Sequence, residues 1–303
     1  MKKILSMLIV SFLLLSGCTK VKQIELSILT PTGAPAVALV PLMAGKTLDK
    51  ITVVDGAETI GAALVKGNYD VIVAPINLGM SLAAKGNSDY ILYGILTWGN
   101  LYVVGDETAA LTQAGDIALF GQAAVPQKIW DTVKSKLGNV RKAIYFNAVS
   151  DVQVQLLSKK VNLGLMAEPA MSATIAKAKA QGLNLKVVAD LQIAWKSVKG
   201  LTNYPQAGLF IKKNVNKNVR LTVDARFKQI GTFVKTVSAD PQKVIAAVDE
   251  VGASTIGVAS SAIIAAAWNR MNIKIVKAQD AVAEINAFMK LFGMNNASEF
   301  VDK

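Results

Sequence analysis

Histidine is absent from this 303-residue chain, and cysteine occurs once, as Cys18. Histidine is the commonest general base near neutral pH and the commonest zinc ligand, so its absence removes the usual metal centres and every Ser-His or Cys-His catalytic pair. A single cysteine also excludes an intramolecular disulfide. We therefore expect no catalytic residue, no metal site and no cofactor.

Negative charge is also scarce, because 33 Lys and Arg residues face 21 Asp and Glu residues and give a net charge of +12. The basic residues are mostly lysines spread along the chain. Nucleic-acid binding favours a clustered basic patch with interleaved aromatic residues, so we expect no nucleic-acid partner. A solvated basic surface facing an anionic membrane or wall fits this pattern better.

The N-terminus combines Lys2 and Lys3 with an apolar run over residues 4–15. This run is shorter than the roughly 20 residues that a membrane-spanning helix needs, and the pattern is typical of a secretory signal peptide. The run ends in Leu-Ser-Gly-Cys18, which matches the lipobox of bacterial lipoproteins. The sequence predicts a signal peptide over residues 1–17, a lipid on Cys18 and a tether over 18–23. The protein would then be lipid-anchored on the extracytoplasmic face of the cell membrane. The alternative is a lone buried cysteine beside an ordinary signal.

Predicted strands and helices alternate along most of the remaining chain. Strands over 24–29, 51–54 and 69–74 are separated by helices, and the same order recurs between residues 117 and 190. This alternation predicts α/β architecture with parallel strands and right-handed crossovers. The segment 66–75 resembles the segment 160–169, which favours two related α/β lobes.

Two apolar stretches, 101–105 and 208–212, are the predicted crossings between these lobes. The first lobe would then consist of residues 24–104 plus 206–303, and the second lobe of residues 105–205. Two crossings place the helical C-terminal block on the first lobe.

Loops at the carboxyl ends of the predicted strands are the candidate ligand site, since ligands of open parallel sheets lie there. Several of these loops lead into helix N-termini, whose free N–H groups can hold an anion or a polar oxygen. The candidate ligand-binding residues are Thr32, Gly33, Ala34, Asn77, Thr97, Trp98, Phe120, Gln122, Asn147, Glu168, Tyr204 and Gln206.

Several of the candidates also have a purely structural explanation. Trp98 or Phe120 could belong to the core, Asn77 could be a helix N-cap, and Gly33 could be an ordinary turn glycine. Glu168 could form a salt bridge between the lobes instead of contacting a ligand. Tyr204 and Gln206 lie near the second crossing and could stabilise that crossing without contacting a ligand.

Several motifs in order resemble one family. The lipobox, Gly33-Ala34-Pro35, the segment 97–102, Ala167-Glu168-Pro169 and the segment 204–208 are similar to substrate-binding proteins of ABC importers, most of all the nitrate, sulfonate and thiamine-pyrimidine group. The resemblance implies a type II periplasmic-binding-protein fold with two α/β lobes, a ligand cleft and two hinge strands. It also implies a monomer whose partners are a small-molecule ligand and an ABC permease and ATPase.

The candidate loops carry no Lys or Arg, and Glu168 would oppose an anion. Trp98, Tyr204 and Phe120 offer flat faces for a ring, and the amide side chains offer hydrogen bonds. We therefore expect a small neutral or amine-bearing ring compound of the thiamine-pyrimidine type. Nitrate or a taurine-like sulfonate is the alternative ligand, and a ligand-sensing surface lipoprotein without transport is the alternative function. An enzyme related to pyrimidine synthesis would need a reactive His or Cys, which the mature cleft lacks.

Overall fold

The computed structural model describes residues 24–45, 47–106, 116–138 and 142–303. The predicted signal peptide, Cys18 and the tether lie outside the described residues. Among the described helices, none has both the length and the apolar character that crossing a bilayer requires.

Strands and helices alternate as the sequence predicts. The strands are β1 (Ser27–Pro31), β2 (Lys50–Val54), β3 (Val71–Pro75), β4 (Tyr90–Trp98), β5 (Leu101–Gly105), β6 (Asp116–Phe120), β7 (Lys142–Phe146), β8 (Leu163–Ala167), β9 (Lys186–Asp190), β10 (Pro205–Lys212) and β11 (Ile273–Lys277). The helices are α1 (Ala34–Ala44), α2 (Ala57–Lys66), α3 (Ile76–Ala84), α4 (Val125–Val133), α5 (Val149–Leu157), α6 (Ala170–Ala180), α7 (Leu191–Lys199), α8 (Lys217–Ala239), α9 (Val244–Val251), α10 (Ser261–Met271) and α11 (Val282–Met289).

The strands form two sheets. The first sheet has the order β11-β4-β10-β3-β1-β2, and the second has the order β7-β6-β8-β5-β9. In the first sheet β1 is parallel to β2 and β3, whereas β10 is antiparallel to both β3 and β4. In the second sheet β6 is parallel to β7 and β8, whereas β5 is antiparallel to β8 and β9. Both sheets are therefore mixed rather than wholly parallel.

The chain passes between the sheets at two short segments. It leaves the first sheet after β4, continues through Gly99 and Asn100, and enters the second sheet as β5. It returns after α7 through residues 200–204. The stretches 101–105 and 208–212 are thus strands inside a sheet and not the crossings themselves. Their apolar character reflects burial, because β5 lies between two neighbouring strands, as does β10.

One apolar core runs through both halves of the molecule. It contains Trp98 and Leu101 on either side of the first crossing, together with Trp195, Tyr204 and Phe288. The Tyr204 ring lies 5.1 Å from that of Trp195 and is stacked on that of Phe288 at 6.1 Å between ring centres. This aromatic packing holds the return crossing against both halves.

Candidate functional site

A cavity of about 660 Å³ lies between the two sheets. Its wall is built where strands end and helices begin, as is typical of ligand sites in open α/β sheets. The first sheet contributes the loops after β1 and β3, and the second sheet contributes the loops after β6 and β8. Most side chains of the wall are apolar.

The structure brings most of the sequence-predicted residues together at this cavity. The candidates that line it are Thr32, Gly33, Ala34, Asn77, Thr97, Phe120, Glu168 and Gln206. Their common feature is a position at a strand end, a helix start or a crossing.

The other four candidates lie elsewhere. Gln122 and Asn147 are exposed and are not part of the cavity wall. Trp98 is only 7% exposed and packs in the core, where its Nε1 donates to the backbone oxygen of Lys274 at 2.9 Å. Tyr204 is fully buried, and its hydroxyl donates to Oε1 of Gln192 at 2.9 Å.

Strand alternation explains the position of Trp98. Thr97 and Trp98 are successive residues of β4, so their side chains point to opposite faces of the sheet. Thr97 lines the cavity, and Trp98 therefore faces away from it.

The N-terminus of α1 forms one part of the wall. Gly33 has φ 83° and ψ −146°, a conformation that glycine adopts far more readily than other residues. Its N–H donates to the backbone oxygen of Ile256 at 2.9 Å, which ties α1 to the loop that contains Gly257. That loop also lines the cavity, and sequence reasoning did not select it.

Several helices begin at the cavity with no side-chain cap at the N-cap residue, α1, α3 and α4 among them. The N-cap positions of α1, α3 and α4 are Gly33, Pro75 and Ala124, and none of them provides a side-chain hydrogen bond. Helix N-termini carry partial positive charge and N–H groups that intrahelical bonds leave free. This end of each helix therefore suits a polar or anionic group.

Glu168 lies at the end of β8 and is held by a charged network. Its carboxylate is fully buried, and Oε1 accepts from Nε of Arg270 at 2.7 Å and from Oγ of Ser172 at 2.8 Å. Oε2 accepts from the backbone N–H of Ser172 at 3.1 Å. The structural alternative for Glu168, a salt bridge between the two halves, is therefore what the structure contains.

Arg270 comes from the opposite half of the molecule. It lies near the end of α10, which packs in the core of the first sheet, whereas Glu168 and Ser172 belong to the second. The hydroxyl of Tyr102 in β5 adds a second link by donating to the backbone oxygen of Arg270 at 2.9 Å. Burial raises the pKa of Tyr102 well above its usual value, so this hydroxyl stays a neutral donor.

Three amide side chains of the wall have unused acceptors. Oδ1 of Asn77, Oδ1 of Asn100 and Oε1 of Gln206 are buried and accept no hydrogen bond within the described residues. Asn100 is 4% exposed, and its Nδ2 donates to the backbone oxygen of Glu168 at 3.1 Å. Sequence reasoning did not include Asn100 among the candidate residues, although it belongs to a segment that carries the family resemblance.

Lys177 is a cationic residue of the wall that sequence reasoning also missed. It is exposed and lies within α6 rather than in a loop, and so a search of strand-end loops did not find it. Its ammonium group adds positive charge at the edge of the cavity.

No family model matches the sequence, and no curated protein matches it. Solved structures do match. An ABC transporter protein from Parabacteroides distasonis is 20% identical with a TM-score of 0.73, over 90% of this chain and 94% of that one. The ligand-binding component of an ABC-type import system from Staphylococcus aureus, with zinc bound, is 12% identical with a TM-score of 0.67, over 92% and 97%. The aliphatic sulphonate-binding protein SsuA from Escherichia coli is 14% identical with a TM-score of 0.67, over 92% of both chains.

These likenesses establish the fold. The chain has the periplasmic-binding-protein-like fold found in solute-binding proteins of ABC transporters, with its cavity between two mixed α/β sheets.

Proposed function

We propose that this protein is an extracytoplasmic solute-binding lipoprotein that captures a small molecule between its two halves and delivers it to an ABC permease and ATPase. The observation that carries this proposal is the cavity of about 660 Å³ at the strand ends of both sheets. Its volume falls in the range typical of small-molecule sites. The import-system proteins with the same fold support the same role.

The two sheets with their helices would act as two lobes. Within the described part of the chain, only Gly99, Asn100 and residues 200–204 connect them, which suits a hinge. The lobes would then comprise residues 24–104 plus 206–303 and residues 105–205, with each boundary lying within a few residues of a crossing.

The lipid anchor rests on the sequence before residue 24. Leu-Ser-Gly-Cys18 follows a short apolar run, and such a run is typical of a secretory signal. In a bacterial host, Cys18→Ser should move the protein from the membrane fraction to the soluble extracytoplasmic fraction. An unchanged membrane fraction would contradict anchoring through Cys18.

The ligand that we favour is a small neutral or amine-bearing ring compound of the thiamine-pyrimidine type. Phe120 provides an aromatic face on the wall, and the amide groups of Asn77 and Gln206 provide hydrogen bonds. Trp98 and Tyr204 do not contribute, since both pack in the core.

A nitrate or sulfonate ligand is the second candidate. The uncapped N-termini of α1, α3 and α4 and the ammonium group of Lys177 favour an anion. Glu168 opposes an anion less than its charge suggests, because Arg270 pairs with it. Membership of the nitrate, sulfonate and thiamine-pyrimidine group is compatible with either ligand.

A thermal-unfolding screen of small metabolites tests the proposal. A ligand at 100 times its dissociation constant should raise the free energy of unfolding by about 2.7 kcal/mol. Stabilisation by no compound of any class would contradict solute capture. Uptake that depends on this protein and its transporter would then separate transport from ligand sensing.

A further inference from the structure

We propose that the carboxamide oxygens of Asn77, Asn100 and Gln206 accept hydrogen bonds from the ligand, so that the cavity selects a neutral compound with N–H donors. This inference rests on the proposed function and deepens it. It assigns the selection of ligand to three named side chains.

The three carboxamides converge from different elements. Asn77 is the second residue of α3, Asn100 belongs to the crossing after β4, and Gln206 is the second residue of β10. All three line one cavity, and each has a buried amide oxygen that accepts no hydrogen bond within the described residues. Buried polar groups are almost always paired, so three unused acceptors around one cavity indicate a missing partner.

The acceptors need only a small side-chain rotation to reach a ligand, since each oxygen is buried in this structure. The Nδ2 of Asn100 donates to the backbone oxygen of Glu168 at 3.1 Å, which orients this amide and leaves its oxygen as the unused group. Turning the last side-chain bond of Asn77 or Gln206 breaks no hydrogen bond of the amide oxygen, since that oxygen has none. The oxygens of Asn77 and Gln206 can therefore turn toward a donor in the cavity at little cost.

The charge of the wall argues against a cationic ligand. Among the described residues that line the cavity, Glu168 is the only one with a carboxylate. Both of its oxygens already accept hydrogen bonds, from Arg270 or Ser172. A cationic ligand therefore finds no free carboxylate among those residues. An anion would meet Lys177 at the edge of the cavity, but amide oxygens turned toward the ligand would repel it.

Asn286 provides a matched control. Its Oδ1 is also buried without a partner, but this residue lies on α11 and is not part of the cavity wall. Replacing an unpartnered buried amide by an apolar side chain of similar shape is close to neutral or stabilising. Asn77→Leu, Gln206→Met and Asn286→Leu should therefore all keep or raise the thermal stability of the ligand-free protein.

Calorimetry with three probes tests the proposal on the whole mature chain. The probes are 4-amino-2-methylpyrimidine, the same ring without its amino group, and ethanesulfonate. We expect the amino compound to bind the unmodified protein, and Asn77→Leu or Gln206→Met to weaken that binding about tenfold or more. Removing the amino group from the probe should weaken binding similarly, whereas Asn286→Leu should change nothing.

Asn77→Asp separates acceptance from donation, since it keeps oxygen acceptors and removes the NH₂ group. It should retain the amino compound and bind ethanesulfonate more weakly than the unmodified protein does. Binding of ethanesulfonate alone, or full affinity of the Leu and Met variants for the amino compound, would overturn the inference and leave solute capture standing. A tight metabolite from the screen that lacks N–H donors would also overturn it. Binding of no compound at all would instead overturn the proposed function.

Discussion

At the scale of single residues, the buried carboxylate of Glu168 depends on a cation from a distant part of the chain. Its two oxygens accept three hydrogen bonds, and the only cationic donor among the residues that the structure describes is Nε of Arg270 at 2.7 Å. Removing one partner of a buried pair costs more than replacing both, since it leaves an uncompensated charge. The pair therefore makes Glu168 a structural residue of the cavity wall.

Arg270→Ala should lower the free energy of unfolding by about 1–3 kcal/mol, because Glu168 then remains buried without its cation, although the Arg270 side chain itself is 43% exposed. Replacing both residues, as in Glu168→Leu with Arg270→Met, should recover much of that loss. Urea unfolding measures both effects. Lys50 pairs with Glu25 at 2.7 Å on the surface and serves as control, so Lys50→Ala should leave stability nearly unchanged. Equal effects of Arg270→Ala and Lys50→Ala would refute the argument.

Trp98→Ala should destabilise the fold by about 3–5 kcal/mol, the usual cost of removing a large buried aromatic side chain. The loss includes the hydrogen bond from its Nε1 to the backbone of Lys274. Chemical denaturation and ligand titration together check this expectation. The folded fraction of the variant should bind ligand as the unmodified protein does. A stable Trp98→Ala variant that no longer binds ligand would instead indicate that Trp98 contacts the ligand.

The residues of the site can be predicted from the sequence where a local pattern determines their position. A strand end followed by a helix start is visible in the sequence around Gly33 and Asn77, and both line the cavity. The sequence does not show which β4 side chains share a face, and it therefore predicts Trp98 as well as Thr97 in the site. The partner of Glu168 lies 102 residues further along, in α10, and nothing in the local sequence pairs them.

At the scale of elements, the position of α3 against its sheet depends on a glycine. A Cβ added at Gly79 would lie 2.3 Å from the ring of Phe210 in β10. A larger residue would push α3 away from β10 and carry Asn77 with it. The helix that presents an amide to the cavity is thus held in place by close packing on its other side.

Gly79→Ala should therefore destabilise the protein by about 1–3 kcal/mol through overpacking and weaken ligand binding. Gly61 in α2 is the matched control, because a Cβ there has its nearest contact at 3.8 Å, from the side chain of Leu78. Gly61→Ala should stabilise by about 0.5–1 kcal/mol, since alanine favours a helix interior over glycine. Thermal unfolding of the two variants tests this expectation. Shifts of the melting temperature in the same direction for both variants would contradict it.

The order of strands and helices along the chain can be predicted from the hydrophobic pattern, but the pairing of strands in the sheets cannot. The predicted helix between the strands over 51–54 and 69–74 is confirmed as α2, which ends at Gly67 in a left-handed conformation. The sheet positions of the strands after residue 100 are harder to predict, because an apolar run indicates burial but does not specify which strands lie beside it. β5 and β10 therefore looked like crossings until their antiparallel partners were known.

At the scale of the whole molecule, the wall of the cavity is shared between two halves that the chain joins through Gly99, Asn100 and residues 200–204. A ligand shifts a conformational equilibrium only by binding one state better than another. Contacts from both halves, such as Asn77 on one and Phe120 on the other, exist together only when the halves are close. The closed arrangement is therefore the state that a ligand should favour, as in other hinge-bending proteins.

Small-angle scattering should then show a smaller radius of gyration at saturating ligand than in its absence. Asn77→Leu should reach the same compact state, but only at a higher ligand concentration, because the substitution weakens binding and leaves the hinge unchanged. Arg270→Ala removes a link between the halves at 2.7 Å and should make the ligand-free protein more open. The affinity of this variant for the ligand should fall as well, because the closed state that binds the ligand is then less populated. An unchanged radius on saturation with a tight ligand, in the unmodified protein and in Arg270→Ala alike, would rule out closure as the mode of capture.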